Sequence, residues 1–196
     1  MKLFPYDKHI RAGDVVAVVR HRLEDDRLPT IIPLLGPSEI HTFSPESPHV
    51  RVLLTDYGAD HYHPFALGAG AGFARLQDGC LTGTLNGCGV EIKPLDSLAA
   101  DWPRLDFVRI SVNGFEPFVI AGARATLLRL RPKLFVRVTI ADLVRYGQTP
   151  HALISLIMSL GYATIPHPLK AKIADASYDL LCVPTAQPVT HAPPTP

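Results

Sequence analysis

Short runs of β-branched and apolar residues, each bounded by turn residues, recur at 15–19, 40–43, 64–67, 73–77, 90–93, 107–112, 134–140, 162–165 and 180–183. Runs this short predict strands rather than helices. Two longer segments carry helical spacing instead. In 149–160, Thr149 can cap and Pro150 takes the first helical position. Leu153, Ile154, Leu156, Ile157 and Leu160 then share one face before Gly161 ends the helix. In 117–130, Val119, Ile120, Ala123, Leu127 and Leu130 are apolar, Arg124, Arg129 and Arg131 are not, and Pro132 stops the pattern. Strands alternating with such helices predict an α/β fold: a doubly wound, mainly parallel sheet with helices on both faces and ligands at the carboxyl ends of the strands.

Composition narrows the function. At 196 residues with 47% apolar and 19% charged, the chain can bury a sizeable core without a disulfide or metal staple. We expect one domain over 1–184, followed by a Pro/Thr-rich disordered tail over 185–196. With 19 basic residues against 18 acidic ones, no broad basic face is available to neutralise phosphates, so a nucleic-acid partner is not expected. A membrane partner is not expected either, because the longest uncharged stretch, 146–169, is interrupted by Pro150, His151, Pro166, His167 and Pro168. Cys80, Cys88 and Cys182 are odd in number and contain no C-x-x-C pair, which indicates neither a disulfide framework nor a zinc site of that kind. Residues 1–7 contain no apolar run of signal-peptide type, so a reducing cytoplasm is the expected location.

Candidate chemistry is sparse by local signature. Gly68-Ala69-Gly70-Ala71-Gly72 resembles a phosphate-cradling loop, but the alternating Phe73-Ala74-Arg75-Leu76-Gln77 that follows reads as a strand. A tight turn between strands is therefore expected, since a phosphate loop must open a helix. In Asp60-His61-Tyr62-His63, two imidazoles at alternate strand positions cannot hold a metal unless a third ligand arrives from elsewhere, so no metal site is expected. Cys182, in an apolar strand, reads as inert packing. The surplus of basic residues between Arg104 and Arg145 reads as the solvated face of helices.

The second half of the chain resembles the FkbM-type S-adenosylmethionine methyltransferases. The matching segments are Pro94-Leu95-Asp96-Ser97-Leu98, the stretch from Asp106 through Gly114 to Glu116, Ala121-Gly122-Ala123, Arg131-Pro132-Lys133-Leu134, Leu160-Gly161-Tyr162, and the strand from Tyr178 to Pro184. They follow the order of the family's T-L-D-x-L, I-K-I-D-V-E-G-x-E, G-A, R-P-x-L and G-Y motifs and its closing apolar strand. Upstream, Arg11 to Val16, Ile40 to Pro45 and His63 to Gly68 resemble the approach to the first strand, the second-strand motif V-x-A-F-E-P and the A-L-G strand end. The resemblance implies a Rossmann-like methyltransferase fold. It also implies S-adenosylmethionine as cofactor and O-methylation of a small hydroxylated substrate.

The positions that carry the family's chemistry are changed. Its first strand runs into D-V-G-A-N-x-G, where small residues let the backbone approach the cofactor. Here that stretch is Val18-Val19-Arg20-His21-Arg22-Leu23-Glu24, with Val18 for the acid and Arg20 and Glu24 for the glycines. The ribose-gripping acid at the end of the second strand is Ser44. A hydroxyl there forgoes charge-assisted hydrogen bonds, a loss of about 1.5 to 3 kcal/mol. The Asp and Glu of I-D-V-E-G are Ser111 and Asn113, and an acid on the strand after R-P-x-L is Arg137. Glu116 keeps its type and can complete a capping pair with Asn113. Val18, Arg20, Ser44, Ser111 and Asn113 are thus the family-equivalent cofactor positions in altered form.

The expectation is a methyltransferase-fold protein that no longer transfers methyl groups and acts by binding, its partner an active methyltransferase relative or a second copy of itself. The alternative is an active O-methyltransferase that uses S-adenosylmethionine. His41 or His63 would then be the candidate base, and no catalytic residue is otherwise indicated.

Overall fold

The computed structural model describes residues 6–21, 32–45, 60–83, 89–168 and 177–186. The expectations for Arg22, Leu23, Glu24 and Cys88, and for most of the tail, lie outside these residues. The described strands are β1 (Val15–Arg20), β2 (Glu39–Phe43), β3 (His61–His63), β4 (Ala66–Leu67), β5 (Gly72–Gln77), β6 (Cys80–Thr82), β7 (Val90–Lys93), β8 (Phe107–Ser111), β9 (Lys133–Thr139), β10 (Tyr162–Pro168) and β11 (Ser177–Pro184). The α-helices are α1 (Leu95–Leu98), α2 (Glu116–Ala121), α3 (Arg124–Leu130), α4 (Ile140–Arg145) and α5 (Pro150–Ser159). No described helix is long and apolar enough to cross a membrane.

Seven strands make the main sheet in the order β10-β11-β9-β8-β1-β2-β3. The five from β9 to β3 are parallel, and β11 runs antiparallel to both β9 and β10. All six residues of β1 are buried, as a central strand covered on both faces requires. The chain steps from β1 to β2 to β3 in one direction across the sheet, and from β8 to β9 in the other. The order therefore reverses between β1 and β8, and α/β sheets bind ligands at the carboxyl ends beside such a reversal. There Arg20 stands in register with Ser111.

One face of the sheet carries Val15, Ala17, Val19, Val108 and Ile110, packed against Leu95 of α1, Val119 and Ile120 of α2, Leu127 of α3, Leu143 of α4 and Leu153 and Ile157 of α5. The opposite face, with Val16, Val18, Ile40, Phe107, Phe135 and Leu181, is covered by Tyr6, Ile10 and Ile32. Tyr6 and Ile32 belong to short 3₁₀ turns. Among the described residues, α-helices therefore lie on one face, where the sequence pattern predicts them on both.

The pattern also does not predict a second sheet. β4, β7, β5 and β6 form a mixed four-stranded sheet of their own. The turn expected at Gly68–Gly72 does join strands. β5 and β6 form a hairpin whose two-residue turn, Asp78-Gly79, has φ of 52° and 74°. This is the Asp-Gly type I′ geometry that matches strand twist.

The α5 reading holds: the Thr149 side chain accepts the Ala152 N–H at 3.1 Å. The helix expected over 117–130 is instead two helices, α2 and α3, broken at Gly122-Ala123. The break coincides with a tertiary contact. A Cβ on Gly122 would collide with the Gly68 carbonyl, so the second sheet abuts the chain there. Asp96 then caps α3 from outside, accepting the Ala125 and Thr126 N–H groups at 3.0 and 2.7 Å. Two of the helix's orphan donors are satisfied in this way. At the other end Arg131, in the left-handed region with φ of 54°, sends its guanidinium to the carbonyls of Leu160, Gly161 and Thr185. A cation thus closes the C-terminus of α5, where the helix dipole favours one. Thr185, expected to begin the tail, is fixed by this contact and by its N–H to the Gly161 carbonyl.

The basic surplus between 104 and 145 is not simply a solvated face. Arg109 is 1% exposed and meets Asp179 at 3.2 Å, and Arg137 reaches the same carboxylate oxygen at 2.8 Å. β11 supplies Asp179 opposite Arg137 in the register, a pairing of residues too far apart in sequence for local reading to find.

Candidate functional site

The carboxyl ends of β1, β2 and β8 define the candidate site. β1 delivers Arg20 and then His21, which are 1% and 0% exposed. The His21 ring packs on Phe115 with centroids 5.8 Å apart. Burial drives the His21 pKa down to about 3, against a smaller opposing pull from the Gly79 backbone, so the imidazole is neutral at physiological pH. Val18, two residues before Arg20 on the same face of the strand, packs into the core with Val16, Ile40 and Phe107. Ser44 follows β2 and is buried, and among the described residues its Oγ has no hydrogen-bond partner.

Beyond β8, Asn113 and Gly114 have φ of 52° and 92°. The left-handed Gly114 is required sterically, since any Cβ there would collide with the Asp142 carbonyl of α4. Asn113 does not cap α2. Its amide donates to the Gly79 carbonyl at 3.1 Å, and the helix N-cap is Phe115, without a side-chain cap bond. The capping pair expected of Asn113 and Glu116 is therefore not made. Glu116 is instead a buried carboxyl whose Oε1 accepts the Val112 N–H at 3.0 Å. Burial raises its pKa to about 7, with neighbouring backbone amides pulling the other way.

The second sheet reaches this site. Besides Asn113 holding Gly79, the Tyr146 hydroxyl donates to the Leu81 carbonyl at 2.9 Å, and Arg145 contacts the Cys80 sulfur. The Asp78-Gly79 hairpin tip is thereby drawn toward the switch point beside His21 and Asn113. Of the sequence-predicted positions, the fold brings Arg20 and Ser111 side by side and sets Asn113 under the hairpin. The Asp-Gly pair in the sequence is the signal that foretells the hairpin, although not where it docks. Cys182 is inert packing as expected, its thiol pushed up to about 12 by burial.

The candidate bases His41 and His63 lie on the other flank. They are neighbours, His41 Nδ1 standing 3.2 Å from His63 Nε2, and burial lowers both pKa values, that of His41 to about 4. β2 also brings Glu39 to this group, within 2.7 Å of His61 Nε2 and 3.4 Å of His41 Nε2. Glu39 has no place in the sequence reading, because its meeting with His61 depends on the pairing of β2 with β3.

S-adenosylmethionine, the cofactor the resemblance implies, needs bare main chain at the end of β1 and a two-point acceptor for its ribose at the end of β2. Arg20 and His21 occupy the first position with large buried side chains, and the second holds a single buried hydroxyl. Among the described residues, those at these two places do not fit the group.

A scan against protein-family models gives no match, and a search of curated proteins gives none. Among solved structures, the chain is similar to the crystal structure of methyltransferase FkbM from Methylobacillus flagellatus. The TM-score is 0.58 at 17% sequence identity, over 92% of this chain and 46% of that one. The chain thus has an FkbM methyltransferase-like fold and spans about half the length of that protein.

Proposed function

We propose that this protein uses its methyltransferase-like fold to bind a protein partner, an active relative or a second copy of itself, and does not transfer methyl groups. The single observation that carries this reading is the burial of Arg20 and His21 at the end of β1. Close backbone approach to a nucleoside is incompatible with two large side chains packed in that place. Ser44 in the ribose position supports the same conclusion, since one neutral hydroxyl replaces a charged two-point grip. The retained features, Asp96, Gly114, Gly122 and Arg131, serve caps, turns and close packing, which a scaffold needs whether or not it catalyses.

Thermal unfolding with and without S-adenosylmethionine tests the reading. A ligand at a hundred times its Kd stabilises a fold by about 2.7 kcal/mol, which moves the midpoint measurably. No shift at millimolar S-adenosylmethionine is expected. A saturable rise, accompanied by methyl transfer to a hydroxylated acceptor, would restore the O-methyltransferase reading.

A further inference from the structure

β2 and β3 run parallel, with His41 beside His61 and Phe43 beside His63. Side chains alternate along a strand, so Glu39, His41, His61 and His63 share one face of the sheet at its edge. We propose that Glu39 Oε1, His41 Nε2 and His61 Nε2 bind a zinc-class divalent metal ion, with a fourth position open to solvent.

The donors are close enough for an ion to draw together. The ligand atoms of the three residues lie within 4.8 Å of one another, and Glu39 Oε1 is 2.7 Å from one imidazole nitrogen and 3.4 Å from the other. Around tetrahedral zinc with bonds of roughly 2.0 to 2.1 Å, neighbouring donors stand about 3.3 Å apart. Two imidazoles and one carboxylate match zinc chemistry, whereas calcium and magnesium call for all-oxygen shells.

The group is also built as metal sites are. His41 is the fixed ligand: its side chain is buried and its ring packs on Trp102 with centroids 4.0 Å apart. Its second nitrogen, Nδ1, lies 3.2 Å from His63 Nε2, an outer partner that fixes ring orientation and leaves Nε2 to face the ion. His61 and Glu39 are the adjustable ligands, their side chains 48% and 39% exposed. The His41 and His61 rings stand 4.6 Å apart and 19° from parallel, so closing on an ion requires His61 to turn, which its exposure permits. Asp60-His61-Tyr62-His63 thus contributes one ligand, His61, and β2 contributes the other two, Glu39 and His41. A bound ion would tie the three-residue edge strand β3 to the sheet.

The test uses the full chain without an affinity tag, stripped of metal and titrated with zinc against a chromophoric chelator, with cobalt as a spectroscopic substitute. The expected result is one ion per chain and a visible cobalt spectrum of a low-coordinate site. His61→Ala and Glu39→Gln, both at partly exposed positions, should each weaken binding by about tenfold or more, the scale that even outer-shell partners reach. His63→Ala should weaken it less. No binding by the folded wild type, or binding that survives both His61→Ala and Glu39→Gln, overturns the proposal.

Discussion

Arg20 of β1 stands in register with Ser111 of β8 at the point where the strand order of the sheet reverses, and the Arg20 side chain is buried there. In α/β sheets that place is usually kept for a ligand, and here it holds a buried arginine. On the proposed reading Arg20 is a packing residue. Arg20→Ala should cost about 2 to 5 kcal/mol, as other large-to-small changes in a core do. Urea denaturation measures this, and a change within about 0.5 kcal/mol would mark Arg20 as a surface side chain instead.

Asp96 shows what a family-like motif does when it is read as structure. Its two carboxylate oxygens hold the Ala125 and Thr126 amides at the start of α3. Asp96→Ala should destabilise the protein by about 1 to 2 kcal/mol, the range of lost helix caps. Asp96→Asn, which keeps one acceptor, should cost less. Chemical denaturation of the two variants side by side gives the comparison.

Glu116 makes stability depend on pH. Its folded pKa, raised by burial to about 7, lies above the ordinary 4.5, so the fold favours the protonated acid. Its contribution is intact below pH 4.5 and is lost as the pH rises toward 7, after which it stays constant. Glu116→Gln keeps an acceptor for the Val112 N–H and cannot ionise. The variant should gain on the wild type by on the order of 3 kcal/mol at pH 8 and by little at pH 4.5, as read from denaturation midpoints at both values.

The Arg109–Asp179–Arg137 group is the main buried charge cluster among the described residues. Removing the shared carboxylate with Asp179→Ala leaves Arg109 buried without that partner and should cost about 3 to 5 kcal/mol. Replacing the pair together, Arg109→Met with Asp179→Leu, should recover most of the loss, since well-packed apolar residues replace buried ions at little cost. A double-mutant cycle by denaturation measures the coupling.

What the sequence reveals divides along physical lines. Elements specified locally are legible: the Thr149 cap with Pro150 behind it, the all-buried run of β1, and the glycine turn between β4 and β5. Features that depend on partners distant in the chain are not. The expected helix breaks at Gly122, where the Gly68 backbone lies against the chain. Arg109 counts as surface charge until β11 brings Asp179 beside it. Asn113 and Glu116 have capping spacing, yet Gly79 takes one side chain and the Val112 amide the other. Likewise, Glu39 and His41 meet His61 only through the pairing of β2 with β3. Arg20 and Ser44, which the resemblance reads as substitutions, are both buried in the structure.

The central claim is that protein side chains fill the place a nucleoside would need. Isothermal titration of the folded protein with S-adenosylmethionine tests it most directly. The account predicts no saturable heat up to millimolar ligand. A one-site isotherm with a micromolar Kd, abolished by Ser44→Ala, would contradict it.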